Sequence, residues 1–256
     1  MGFLDDAIRF QQHVQKITSE HFELMPDFAY FSEFHERHIG GYLRYLSDQS
    51  SNKPLTSGQT FLSSLSCLLG PALESIGYRN KISRTRPKIG SFHASQSLIG
   101  PVKNLSFEAY HFAECLKFFL DSARSVAVNT PTSESISVTI GKIIKNFKNK
   151  NKEWIAYRNF IVHGPINRND PFRYLVIFEL GAITLHNDLW LEFRNVFDEE
   201  RDVWRGRAKN LLKDMIDCLS VIQGMNESLL AANRYTFAPT AKASQVSDLT
   251  VNVQRI

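Results

Sequence analysis

Three polar side chains on one short apolar stretch carry the chemistry this sequence offers. In Trp154-Ile155-Ala156-Tyr157-Arg158-Asn159-Phe160-Ile161-Val162-His163-Gly164-Pro165, Arg158, Asn159 and His163 stand among aromatic and aliphatic residues. On a helix turning about 100° per residue, Asn159 falls roughly 100° and His163 roughly 140° from Arg158. Trp154, Ala156, Tyr157, Phe160 and Ile161 fill the opposite arc as a core-facing stripe. Asn159 and His163 lie four apart and can touch. A permanently charged guanidinium, an amide and an imidazole that titrates near neutrality therefore face outward together. Such a set clamps an anion and moves a proton.

The elements that must position this helix are themselves predicted to be helical. Upstream, Leu105, Ala109, Phe112, Ala113, Leu116, Phe119, Leu120, Ala123 and Ala127 form one stripe, begun by Asn104 or Ser106 as a cap. A second helix starts near Pro131 with the stripe Ile136, Ile140, Ile143, Ile144 and Phe147, and breaks at 149–151. The short helix itself is stopped by Gly164-Pro165. A long helix from Glu199 to about Asn233 follows, with a shorter one over 188–197 leading into it. Between them, Tyr174 to Phe178 and Ala182 to Leu185, split by Gly181, predict a small β-hairpin near 174–185. Leu4 to Leu24, Phe28 to Leu46 and Thr60 to Ile76 also read as helices. The expectation is an all-α chain: an N-terminal helical region over 1–104 with a basic loop at 79–103, a helical domain over 105–235, and a loose tail over 236–256.

Arg-Asn-x-x-x-His closing a short helix, after two amphipathic helices and before a long one, resembles the HEPN superfamily. Its signature is an Arg followed by a His after four to six residues, often with a polar residue directly after the Arg. Arg158, Asn159 and His163 match that pattern, and the resemblance covers about 105–233. It implies a HEPN-like bundle, with additional N-terminal helices here, and a homodimer whose paired short helices share one cleft. It also implies metal-independent RNA cleavage of the toxin–antitoxin or other defence type, with no cofactor, and an antitoxin or other regulatory protein as a further partner. On that reading the ribose 2′-OH attacks the phosphodiester and His163 acts as general base or acid. Arg158 neutralises charge on the phosphorane oxygens, and Asn159 orients His163 or binds a phosphate oxygen. The alternative the resemblance allows is a catalytically silent module for dimerisation or nucleotide binding.

Charge distribution fits a polyanion partner. Residues 75–104 carry six bases and no acid, and 142–173 carry eight bases against two acids, in a chain whose net charge is only +4. Arg79, Lys81, Arg84, Arg86, Lys88, Lys148, Lys150 and Lys152 are the candidate RNA contacts. A solvated basic face is the plainer alternative. Aromatics among the bases, Tyr78 beside Arg79 and Phe92-His93 after Lys88, would stack on bases or anchor the loop.

Several classes are disfavoured. No phosphate-binding Gly-rich loop, nucleophile elbow or His-Glu-x-x-His occurs. Phe61 to Leu73 is too short and too interrupted to cross a bilayer, and Asp5, Asp6 and Arg9 argue against a signal peptide. Three widely spaced cysteines, Cys67, Cys115 and Cys218, predict neither a disulfide framework nor a cysteine zinc site, and suggest a reducing, cytoplasmic setting. His35 and His38 with Glu33 and Glu36, and with His13 and His21 upstream, would make a metal site only if clustered; surface histidines are the commoner reading. His111 and Cys115 share a helix face, and His186 reads as a turn residue.

Overall fold

Apolar residues repeating at helical spacing give seven helices among the residues that the computed structural model describes, 2–21, 57–87, 94–127, 130–163, 170–184 and 189–231. They are α1 (Phe3–His21), α2 (Ser57–Arg84), α3 (Gln96–Val126), α4 (Thr130–Lys150), α5 (Lys152–His163), α6 (Arg173–Thr184) and α7 (Leu189–Ala231). No strand lies among the described residues, so the all-α expectation holds for them. None of these helices is long and apolar enough to cross a membrane. The helix expected over 28–46 and the tail over 236–256 lie outside the described residues.

Helices α2 and α3 form an antiparallel pair at the centre. Thr85 Oγ1 donates to the Ser97 carbonyl at one end (3.4 Å), and Cys67 meets Cys115 eighteen residues further along each helix. Phe61, Leu65, Leu68 and Ala72 of α2 are fully buried, as are Leu105, Phe112, Leu116 and Phe119 of α3. The long helix α7 packs across α1, α2, α3, α4 and α6. Its Ala208, Leu211, Met215 and Ile222 complete a single apolar cluster that runs from Ala7 to Ile222. Burial at about 25 cal/mol per Å² of apolar surface is the main force that holds these helices together.

The structure corrects four expectations. Residues 174–184 form α6 rather than a hairpin: the buried positions are Leu175, Glu179 and Ala182, a helical spacing hidden by the acid in its middle. Within the basic stretch 79–103, residues 79–84 and 96–103 are helical, since α2 runs on to Arg84 and α3 begins at Gln96, while 88–93 lie outside the described residues. Pro71 and Pro101 sit inside these helices, where the buried stripes on either side outweigh the amide each proline lacks. The short helix over 188–197 is continuous with the long one in α7. Finally, Cys67 and Cys115 are paired as a disulfide, with Cα atoms 5.8 Å apart, although 48 residues separate them in sequence. An odd number of cysteines did not preclude one bridge plus one buried free thiol, Cys218.

Glu179 explains how α6 is anchored. Its carboxylate accepts the Ser95 amide (3.3 Å to each oxygen) and the Ser95 hydroxyl, both at the start of α3. It thereby supplies, from 84 residues away, the cap that Ser95 does not make with its own side chain. Glu179→Ala should lower stability by about 1–3 kcal/mol in denaturant melts, because buried donors lose their acceptor. Glu179→Gln, which keeps one acceptor oxygen, should recover part of that loss.

Candidate nucleic-acid interface

Helix α5 is positioned by a joint, a box and a platform. The joint is Asn151, buried between α4 and α5. Its amide donates to Phe147 O (3.0 Å), and its carbonyl accepts from Ile155 N (3.2 Å). Its side-chain amide donates to Phe147 O (3.1 Å) and to Asp214 Oδ2 of α7 (3.0 Å). The expected break at 149–151 is thus a fixed corner.

The box is aromatic. Trp204 of α7 meets Trp154 edge-on with ring centroids 5.2 Å apart, stacks on Phe172 at 5.3 Å, and lies 5.9 Å from Tyr157. Phe172 enters this group because Asp170 caps α6, its carboxylate accepting Phe172 N at 2.9 Å. Trp154 and Tyr157 are buried as expected, Phe160 and Ile161 are half-buried, and Ala156 is exposed. Burial, and after it the charge of Asp170, pushes the Tyr157 phenol above its usual range, so it stays neutral.

The platform is Tyr110 of α3. The Arg158 guanidinium lies over its ring, 4.1 Å from the centroid, and Nη1 donates to Asn159 Oδ1 at 3.1 Å. Arg158 is therefore half-buried rather than fully outward, while Asn159 is exposed. No carboxylate among the described residues pairs with Arg158, and its Nε is buried without a hydrogen-bond partner. Among the described residues the guanidinium's charge meets no acid, and it rests on a flat aromatic support. His163 is the last residue of α5; its side chain lies outside the described residues.

Tyr110 belongs to a polar face, Tyr110, Glu114 and Lys117, at i, i+4 and i+7 on α3. Lys117 Nζ reaches both Glu114 oxygens (2.7 and 2.8 Å), and Lys148 of α4 stands 3.9 Å from the same carboxylate. Two ammonium groups thus share one acid. The hydrogen bond to Glu114 raises the Lys117 pKa; partial burial, and then the like charge of Lys117, lowers that of Lys148. An incoming phosphate would relieve that repulsion. Tyr110 and Lys117 were not legible as site residues from spacing on α5 alone. The signal was a polar i, i+4, i+7 line beside the buried stripe of α3.

The other candidate contacts are dispersed. Lys150 is paired with Asp214 at 3.2 Å, and Lys152 is exposed at the first turn of α5. Arg79 donates to Asn80 Oδ1 at 3.1 Å, and Lys81 sits over the Tyr78 ring at 5.0 Å, so Tyr78 anchors its own helix. Arg84 is exposed at the end of α2 and Arg86 is exposed just beyond it. Lys88, Phe92, His93, His186, and the group Glu33, His35, Glu36 and His38 lie outside the described residues, and so does the His21 side chain. His13 is buried, with Nδ1 3.5 Å from Glu227.

A shallow cleft of about 150 Å³ lies between α4 and α7, lined by Phe147, Lys150, Asp214, Asp217 and Cys218 among others. Burial, then Asp214 and Asp217, pushes the Cys218 thiol up to about 12, so it is a poor nucleophile. Arg158 does not line this cleft. Comparison of the chain with family models, with curated proteins and with solved structures finds no match to any of them.

Proposed function

We propose that this chain is a HEPN-like endoribonuclease that cleaves RNA through Arg158, Asn159 and His163, with the 2′-OH as nucleophile and no metal in the reaction. The observation that carries this reading is the Arg158 guanidinium held on Tyr110, free of any described carboxylate, with Asn159 at its edge. A guanidinium so presented is preorganised for the two non-bridging oxygens of a phosphodiester. His163 ends the same helix one turn beyond Asn159, where an imidazole takes the nucleophile's proton or protonates the leaving oxygen. Lys117 and Lys148 extend positive charge about 10 Å along α3 from Tyr110, two helical turns, which suits a strand that follows its phosphates. In this reading a second copy supplies the complementary Arg158 and His163, and a regulatory protein restrains the pair.

The test is a short RNA compared with the same RNA carrying a single 2′-deoxy residue at the mapped cleavage site, both in the presence of a chelator. The all-ribose strand should be cut to a cyclic phosphate end and the deoxy strand left intact at that position. Equal cleavage of both strands rules out the 2′-OH mechanism. Binding of either strand without cleavage favours the alternative, a catalytically silent nucleotide-binding or dimerisation module.

A further inference from the structure

A second cluster of reactive side chains lies on the α2–α3 pair. Cys67, His111 and Cys115 place their sulfur and nitrogen atoms within 4.8 Å of one another. His111 and Cys115 stand four apart on α3, so one turn brings both to the same face opposite Cys67. Cys115 is buried, Cys67 half-buried, and His111 exposed, which leaves the cluster open to solvent on the histidine side. Behind His111, Glu108 Oε2 lies 3.7 Å from Nδ1. A carboxylate at that position is the usual support of a metal-binding histidine.

We propose that Cys67, His111 and Cys115 form a redox-gated site for a thiophilic divalent cation, Zn²⁺, which binds when the Cys67–Cys115 disulfide is reduced. Two thiolates and an imidazole are the donor set zinc prefers, and three protein ligands leave its fourth position to water. Bonds of about 2.3 Å to sulfur and about 2.0 Å to nitrogen span donors spaced as these are, with the Cα atoms of the pair already 5.8 Å apart. The chemistry balances with a dithiol reductant. Two electrons and two protons pass from it to the disulfide, giving two cysteine thiols and the oxidised reductant. Zinc binding then releases those two protons to solvent. Reoxidation by a disulfide oxidant, which takes the two electrons with two protons from solvent and becomes two thiols, forms the S–S bond again, removes both thiolate ligands and expels the ion. His111 directly follows Tyr110 on α3, but the test below reads metal binding and does not depend on RNA cleavage.

The experiment uses the full chain, reduced and freed of metal, titrated with Co²⁺ as a spectroscopic stand-in for zinc. Reduced protein should develop thiolate-to-cobalt absorption in the near ultraviolet and tetrahedral bands in the visible, saturating at one ion per chain and erased by Zn²⁺. Oxidised protein should show neither. His111→Ala, an exposed change that leaves the core intact, should weaken cobalt binding about tenfold or more. Cys218→Ser should leave the spectrum unchanged. The proposal is overturned if reduced protein gives no cobalt bands, if oxidised protein gives the same ones, if His111→Ala binds as tightly as the parent, or if Cys218→Ser abolishes them. A bridge that resists reduction in the folded chain overturns it as well.

Discussion

Arg158→Ala should reduce RNA cleavage by about 10²–10³-fold, the usual cost of removing one preorganised donor from a growing oxyanion. The fold should tolerate the change. Arg158 contributes a ring contact with Tyr110 and one hydrogen bond to its neighbour Asn159, and it closes no ion pair with a described residue. Its loss should cost only about 1 kcal/mol of stability. Melting temperature and far-ultraviolet spectrum, measured beside the cleavage rate, separate the two effects. Arg158→Lys restores the charge but neither the planar fork nor the flat stacking, so it should recover only part of the rate. His163→Ala should be impaired by about 10²–10⁴-fold for loss of proton transfer. Unchanged cleavage in either alanine variant removes that residue from the mechanism.

The largest structural effect is expected at Trp204. Its indole touches Trp154, Tyr157 and Phe172, donates to Glu200 Oε2 at 3.1 Å, and carries the Arg207 guanidinium 4.7 Å above it. It joins α5, the start of α6 and α7, as Tyr157 also does through its contacts with Phe172 and Trp204. Trp204→Ala should lower stability by about 3–5 kcal/mol, which for a chain of this length moves the melting temperature by roughly 10 °C. Trp204→Phe keeps a ring in the box and should lose less than half as much. Because Tyr157 precedes Arg158 directly, the alanine variant should also loosen α5 and lower the proposed cleavage below the level its stability alone dictates. A calorimetric scan with an activity assay well below the transition checks both parts.

The helices were legible wherever an apolar stripe was unbroken. Ile136, Ile140 and Phe147 mark α4, and Ala208, Leu211, Met215 and Ile222 mark α7, because a 3.6-residue period survives in the sequence. α6 reads as a hairpin in sequence for a definite reason. A buried acid, Glu179, occupies the core position a hydrophobe would have marked, while Tyr174, Val176, Ile177 and Leu180 remain exposed and mimic a strand. The site followed the same rule. Arg158 and Asn159 were visible because they interrupt an apolar helix, whereas Tyr110 belongs to another helix and meets Arg158 only in three dimensions. The disulfide was likewise invisible, since its closure depends on the antiparallel register of α2 and α3 and not on cysteine spacing.

The 43-residue length of α7 limits how this chain can diverge. Inserting or deleting one residue within it turns everything beyond by about 100°, carrying Leu211, Met215 and Ile222 away from their partners on α2 and the other helices. Gaps in distant homologues should therefore fall outside this rod or come in multiples that preserve its phase, while the corners between helices absorb changes of length.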